Sequence, residues 1–277
     1  MEENKSVGVE NSEKKAKKPA KAQKPAEKAD GANAAPVPRK YPRTLSLHYQ
    51  PVFDVHLNMA IDFETHMQIN DRQMGVMLPD QFVPIAEKSS QIFALNRWNL
   101  EEGCDAILRC EKREADINRL IIPVSVKYLA KNYFMPQILK IMDQKGVNSD
   151  KICFNINESI LEAEKKQVVE NIKALRQNGF TVSIDDFGVE FTSLTRLGQY
   201  EVDYICIHKS LIDEILTDER TQNMVQGIIE FAKKIVVQTR VDGVDSPDKE
   251  KLLRAMGVDQ LKGDLYGKPM AERMIKG

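Results

Sequence analysis

Cysteine is scarce in this 277-residue chain: Cys104, Cys110, Cys153 and Cys206 are the whole set. None forms a CxxC pair, and their density is far below that of a disulfide-built domain. Neither a structural zinc site nor a disulfide framework is expected, and the four read as reduced thiols. Long apolar runs are missing too. Nothing approaches the roughly 18 to 20 residues that span a bilayer, and the chain is polar from Glu2 onward, so a cytoplasmic protein without membrane insertion is expected. No glycine-rich phosphate cradle follows a strand-like segment, which weakens an open nucleotide-binding sheet. Charge excess is lacking as well: 40 basic and 41 acidic residues leave a net charge of −1, with no global signal for nucleic acid.

What is present is enough apolar residue to build a full-sized core, 42% of the chain against 29% charged. The charge balance hides a division. Residues 1 to 43 hold 11 Lys or Arg and 6 Asp or Glu, leaving 29 basic and 35 acidic for the remainder. The first 43 residues are Lys, Ala, Pro, Glu and Asn with almost no large apolar side chain, so their burial cannot offset the entropy of ordering. A disordered tail over 1–43 is expected, a spacer or a weak tether to an anionic surface, ahead of one domain over 44–277.

From Leu45 the pattern changes. Alternation through Leu45, Leu47 and Tyr49 predicts a strand ending at Gln50–Pro51, and a second is predicted over Met59–Ile69. A short helix over Pro79–Lys88 and a long one over Ser90–Arg113 follow, the latter with Ile92, Leu95, Trp98 and Leu100 toward the core. Beyond them, β-branched runs at Leu120–Val126, Ile152–Ile156, Thr181–Ile184, Tyr204–Ile207, Val236–Val241 and Gln260–Leu261 alternate with helical segments such as Glu158–Asn178 and Glu219–Lys234. Repeated βα units of this kind imply a parallel sheet, here a TIM-like (β/α)8 barrel of the α/β class, whose functional groups gather at the C-terminal strand ends. Read there, the ends offer Glu64, Asn155, Asn157, Asp185, Asp186, Cys206, His208, Asp242 and Lys262. Adjacent aspartates suit either helix capping or a hard-cation site, and spacing does not decide between them. His66, Cys206 and His208 are read as packing or helix-start residues, not as a transition-metal site.

Over residues 45 to 272 the chain resembles the EAL family of bacterial cyclic di-GMP phosphodiesterases. The resemblance rests on Tyr49-Gln50-Pro51-Val52, Pro79 to Glu87, Asp185-Asp186-Phe187-Gly188, Ser193-Leu194, Val202-Asp203 with Ser210, Asp242-Gly243-Val244, and Gly263 with Lys268-Pro269. It implies an EAL-type barrel, with remnant metal-ligand positions at Glu64, Asn155, Asp185, Asp186 and Asp242, a further one lost at Pro123, and a candidate nucleotide pocket drawn from Gln50, Glu64, Gln68, Asp185, Lys268 and Pro269.

Departures from the family pattern set the functional expectation. The signature Glu-Ala-Leu reads Glu64-Thr65-His66. One metal-binding Asn falls on Pro123, a Glu on Asn155 and another Glu on the shorter Asp242; the Lys placed near the attacking water falls on Cys206, and the Asp after it on His208. Mg²⁺ demands near-ideal octahedral oxygen ligation, so a missing, a neutralised and a shortened ligand together predict metal loss. Without metal the hydroxide nucleophile at neutral pH goes too. Phosphate contacts thin as well, because Gln68 and Lys268 stand where the family has Arg. The loop after the aspartates reads Val189-Glu190-Phe191-Thr192-Ser193-Leu194, with Glu190 in place of a flexible Gly.

The expectation is therefore a degenerate, non-hydrolytic EAL regulator with no resident cofactor, working through a protein partner. A metal-independent cyclic di-GMP receptor is the alternative, and Mg²⁺ or Mn²⁺ enters only with residual phosphodiesterase activity; a homodimer stays open. Without metal, the facing carboxylates Glu64, Asp185, Asp186 and Asp242 are expected either to hold protons or to recruit Lys262, Lys268 or His208.

Overall fold

In the computed structural model, residues 44–115, 117–162, 166–189 and 197–276 are described; the expected tail 1–43 and loop residues Glu190–Leu194 lie outside them. Alternating apolar and polar residues build β1 (Thr44–Asp54) and β2 (Met59–Asp71) as an antiparallel hairpin. β1 runs through Pro51 instead of stopping there. Pro51 pairs with Phe63 on one side, and on the other it falls between the partners of β10 (Met270–Ala271) at His48–Tyr49 and of β9 (Gln260–Lys262) at Val52–Asp54. A missing N–H is tolerated in such a gap.

The remaining ring strands are β4 (Arg119–Val124), β5 (Ile152–Asn157), β6 (Thr181–Phe187), β7 (Tyr204–Ile207) and β8 (Gln238–Val241). β2, β4, β5, β6, β7, β8 and β9 pair in parallel in that order, and β1 closes the ring antiparallel to both β2 and β9. The result is the expected eight-stranded barrel with one strand reversed. A short β3 (Gly75–Met77) extends the sheet beyond β2.

Helices α1 (Pro79–Glu87), α2 (Gln91–Glu111), α3 (Val126–Leu129), α4 (Phe134–Lys145), α5 (Lys166–Gln177), α6 (Glu219–Lys234) and α7 (Pro247–Met256) connect the strands. Their ends carry ordinary start and stop chemistry. Asp218 accepts from the Arg220 and Thr221 amides ahead of α6, while Ser246 and Pro247 open α7 and left-handed Gly257 closes it. The predicted helix Glu158–Asn178 is divided: a 3₁₀ turn spans Glu158–Glu162, and α5 begins only at Lys166. On α2, Ile92 and Leu100 are buried, and Leu95 and Trp98 pack half-buried against Met67, Ile69, Met77 and Phe82. Cys104 and Cys110, which do not share a three-or-four spacing, are both fully buried, because α2 meets the barrel on one side and α4 on another. All four cysteines are free. Among the described residues no helix is long and apolar enough to cross a membrane.

Candidate functional site

Strands have a side-chain period of two, so polar residues at every second position of several barrel strands stack as layers inside the ring. Three strands do this here. Asp62 and Glu64 lie on β2, Gln260 and Lys262 on β9, and Arg240 on β8 with Asp242 directly after it. Since β1 separates β2 from β9 in the ring, bonds between those two strands must cross the interior. In the lower layer Gln260 donates to Asp62 (2.9 Å) and accepts from Arg240 Nε and Nη2 (3.1 and 3.0 Å), with Asn118 donating to Asp62 at 2.8 Å. In the upper layer Lys262 Nζ donates to Glu64 Oε2 at 2.5 Å and lies 3.4 Å from Asp242 Oδ2.

The upper layer holds its charges firmly. Burial alone would raise the Glu64 carboxyl, but the Lys262 ammonium, aided by the Arg240 guanidinium, holds it below the usual carboxylate range. Burial likewise opposes charge on Lys262, and Glu64 and Asp242 outweigh it. The backbone fixes the ammonium's place: the Val244 amide donates to the Lys262 carbonyl at 3.0 Å, and a side chain on Gly263 would meet Val244 main-chain atoms at 2.2 to 2.7 Å. Burial lowers His66 and raises the Cys206 thiol, so both are neutral at ordinary pH.

Across the mouth, the ends of β4, β5 and β6 border a cavity of about 740 Å³. Its lining includes Pro123, Asn155, Asn157, Asp185 and Asp186, with Asp80 and Glu87 of α1 adding acid and Lys127 the one base among the described residues. Lys127 is committed to the Glu87 carbonyl at 2.8 Å. The predicted strand over Thr181–Ile184 continues to Phe187, so both aspartates belong to it, in a register shift between Ile184 and Phe187. Asp186 there is left-handed at φ 56°, which Asp tolerates better than most residues, and such a bulge re-aims the side chains at its site. Asp186 accepts from Asn157 at 2.8 Å and lies 4.0 Å from His208 Nε2. Burial, followed by the charges of Glu64 and Asp186, raises Asp185 to about 6 against the opposing pull of Lys262 and the Asn155 amide.

The sequence-predicted pocket residues are thus distributed unevenly. Asp185 lines the cavity, whereas Gln50, Glu64, Gln68, Lys268 and Pro269 do not. Gln50 is buried and donates to the Gly267 carbonyl at 3.1 Å; Lys268 is exposed and pairs with Asp264. Of the partners expected for the carboxylates, Lys262 takes Glu64 and Asp242, and His208 approaches Asp186. Asp62, Arg240 and Gln260 were not singled out from sequence. Their signal was there as polar residues two apart in Asp62-Phe63-Glu64, Arg240-Val241-Asp242 and Gln260-Leu261-Lys262.

The EAL domain family model matches residues 41–269. This chain belongs to the EAL domain family. It is 25% identical over 233 residues to the oxygen sensor protein DosP of Escherichia coli K12, covering 84% of this chain and 29% of that protein. It is 26% identical to the cyclic di-GMP phosphodiesterase PdeL of the same organism, covering 80% of this chain and 61% of PdeL. The first of these relatives is more than three times as long as the matched segment, so its whole activity is not transferable. Among solved EAL structures, the PaMucR phosphodiesterase in complex with c-di-GMP superposes with a TM-score of 0.76 at 24% identity, over 82% of this chain and 92% of that one. The FimX EAL domain of Pseudomonas aeruginosa bound to c-di-GMP gives 0.74 at 18% identity, over 82% and 90%. These likenesses establish the EAL barrel fold.

At the positions where the resemblance places metal ligands, the side chains are largely engaged otherwise. Pro123 offers no side-chain donor, the Asn155 carbonyl oxygen accepts from the Ser183 hydroxyl, and Glu64 is engaged by an ammonium. Among the described residues, no three His, Cys, Asp or Glu side chains come together as a metal-holding group.

Proposed function

We propose that this EAL domain does not hydrolyse cyclic di-GMP and regulates by binding a protein partner. The observation that carries the reading is the pairing of Pro123 with Asn155 in adjacent register at the mouth, where a hydrolytic site needs anionic or carbonyl oxygen donors on both strands. Neither residue contributes negative charge, and water held there has the weak nucleophilicity of ordinary water. The partner reading is supported by the segment entering and forming α1, which exposes Met74, Val76, Leu78 and Ile85, large apolar side chains that a monomer gains nothing by presenting to solvent. A second reading, cyclic di-GMP binding without cleavage, is favoured by the size of the cavity beside Asp185 and by the nucleotide complexes of the PaMucR and FimX relatives.

Calorimetry of the full chain with cyclic di-GMP, with and without Mn²⁺, separates the readings. The expected result is no turnover in either condition. Heat without metal selects the receptor, and production of linear dinucleotide in Mn²⁺ overturns the proposal.

A further inference from the structure

β9 delivers one cation into a ring of acids and seals it there. The Lys262 side chain is 5% exposed and that of Glu64 6%. Exposed lysine pairs break and re-form in water, but a pair enclosed to this degree is part of the core, and removing one member strands the other. The same ammonium reaches Asp242 at 3.4 Å, so a single positive charge serves acids on two strands that are not neighbours in the ring. Both acids occupy positions where the EAL family ligates metal. A Mg²⁺ or Mn²⁺ ion bound to Glu64 would need to stand about 2.0 to 2.2 Å from a carboxylate oxygen, inside the space the ammonium holds. Two cations crowded onto the Oε2 side of this carboxylate repel each other, so the ammonium disfavours a divalent ion there.

We propose that Lys262 is a built-in cation of this barrel: its ammonium supplies Glu64 and Asp242 with the positive charge that a divalent ion would supply, and keeps such an ion away from them. This rests on the non-hydrolytic reading above and adds a cause to it. Ligand loss at Pro123 and Asn155 weakens a metal site; Lys262 fills one. One fixed positive charge thereby offsets part of the negative charge at the mouth.

The test uses the full chain and Mn²⁺ alone, with free Mn²⁺ followed by electron paramagnetic resonance. Wild type and Lys262→Arg are expected to show no saturable site. Lys262→Gln, neutral and of similar length, is expected to gain one saturable Mn²⁺ site that wild type lacks, since Glu64 and Asp242 then lack their cation. Lys262→Met keeps the shape of the buried stem, and Mn²⁺ should raise its thermal midpoint while leaving wild type unmoved. Equal Mn²⁺ uptake by wild type and Lys262→Gln overturns the proposal. So does failure of both neutral variants to respond to Mn²⁺, whether they fold or not. Nucleotide is absent throughout, so hydrolysis by wild type would sink only the functional reading.

Discussion

The two sides of the barrel mouth carry similar acids in opposite circumstances. On the side of β2, β8 and β9, Glu64 and Asp242 share Lys262; Glu64 is buried with the ammonium and Asp242 is partly exposed. On the side of β4, β5 and β6, Asp185 and Asp186 border an open cavity, with hydrogen bonding from Asn157 and a distant imidazole as their support. The first pair shares a buried ammonium, whereas on the second side burial raises the Asp185 carboxyl and hydrogen bonding only partly opposes it. The lesson is that the number of acids in an EAL-like mouth says little until their counter-charges are located.

The largest expected effect comes from breaking the closed side. Glu64→Ala leaves a buried ammonium without its main partner and should cost about 3–5 kcal/mol in urea unfolding. The double variant Glu64→Gln with Lys262→Met should recover a large part of that loss, and additive losses in the cycle would show that the pair is not coupled. An intermediate effect of opposite sign is expected on the open side. With its carboxyl raised from 3.8 to about 6, folded Asp185 binds a proton that the unfolded chain has already released, so its contribution to stability falls as pH rises between about 4 and 6. Asp185→Asn should therefore stabilise the protein by about 1–2 kcal/mol near pH 7.5 and by almost nothing near pH 4, read as thermal midpoints at both. The smallest effect sharpens the contrast: Lys268→Ala, an exposed lysine beside Asp264, should change unfolding free energy by less than about 0.5 kcal/mol.

Much of this was legible in the chain itself. The order of the eight ring strands, the two helices after the hairpin, α6 to the residue, and the acids at strand ends follow from β-branched runs, amphipathic spacing and motif order, whereas α3, α4, α7, β3 and β10 were not read individually. The continuation of β1 through Pro51 was not, because it depends on which neighbours occupy each edge, a property of the closed ring. The bulge at Asp185–Asp186 was hidden for the same reason, since register belongs to a pair of strands. Lys262 was readable as one partner among three for the carboxylates. Its selection over Lys268 depends on burial, which opposes an unpaired charge and so forces the choice that an exposed lysine can postpone.

The tight seat of Gly263 against the Val244 backbone has a mechanical corollary. Any residue larger than glycine at position 263 would have to part the two stretches of main chain that set where the Lys262 side chain departs, so a substitution one position away from the lysine would disturb its pairing without touching either charged group.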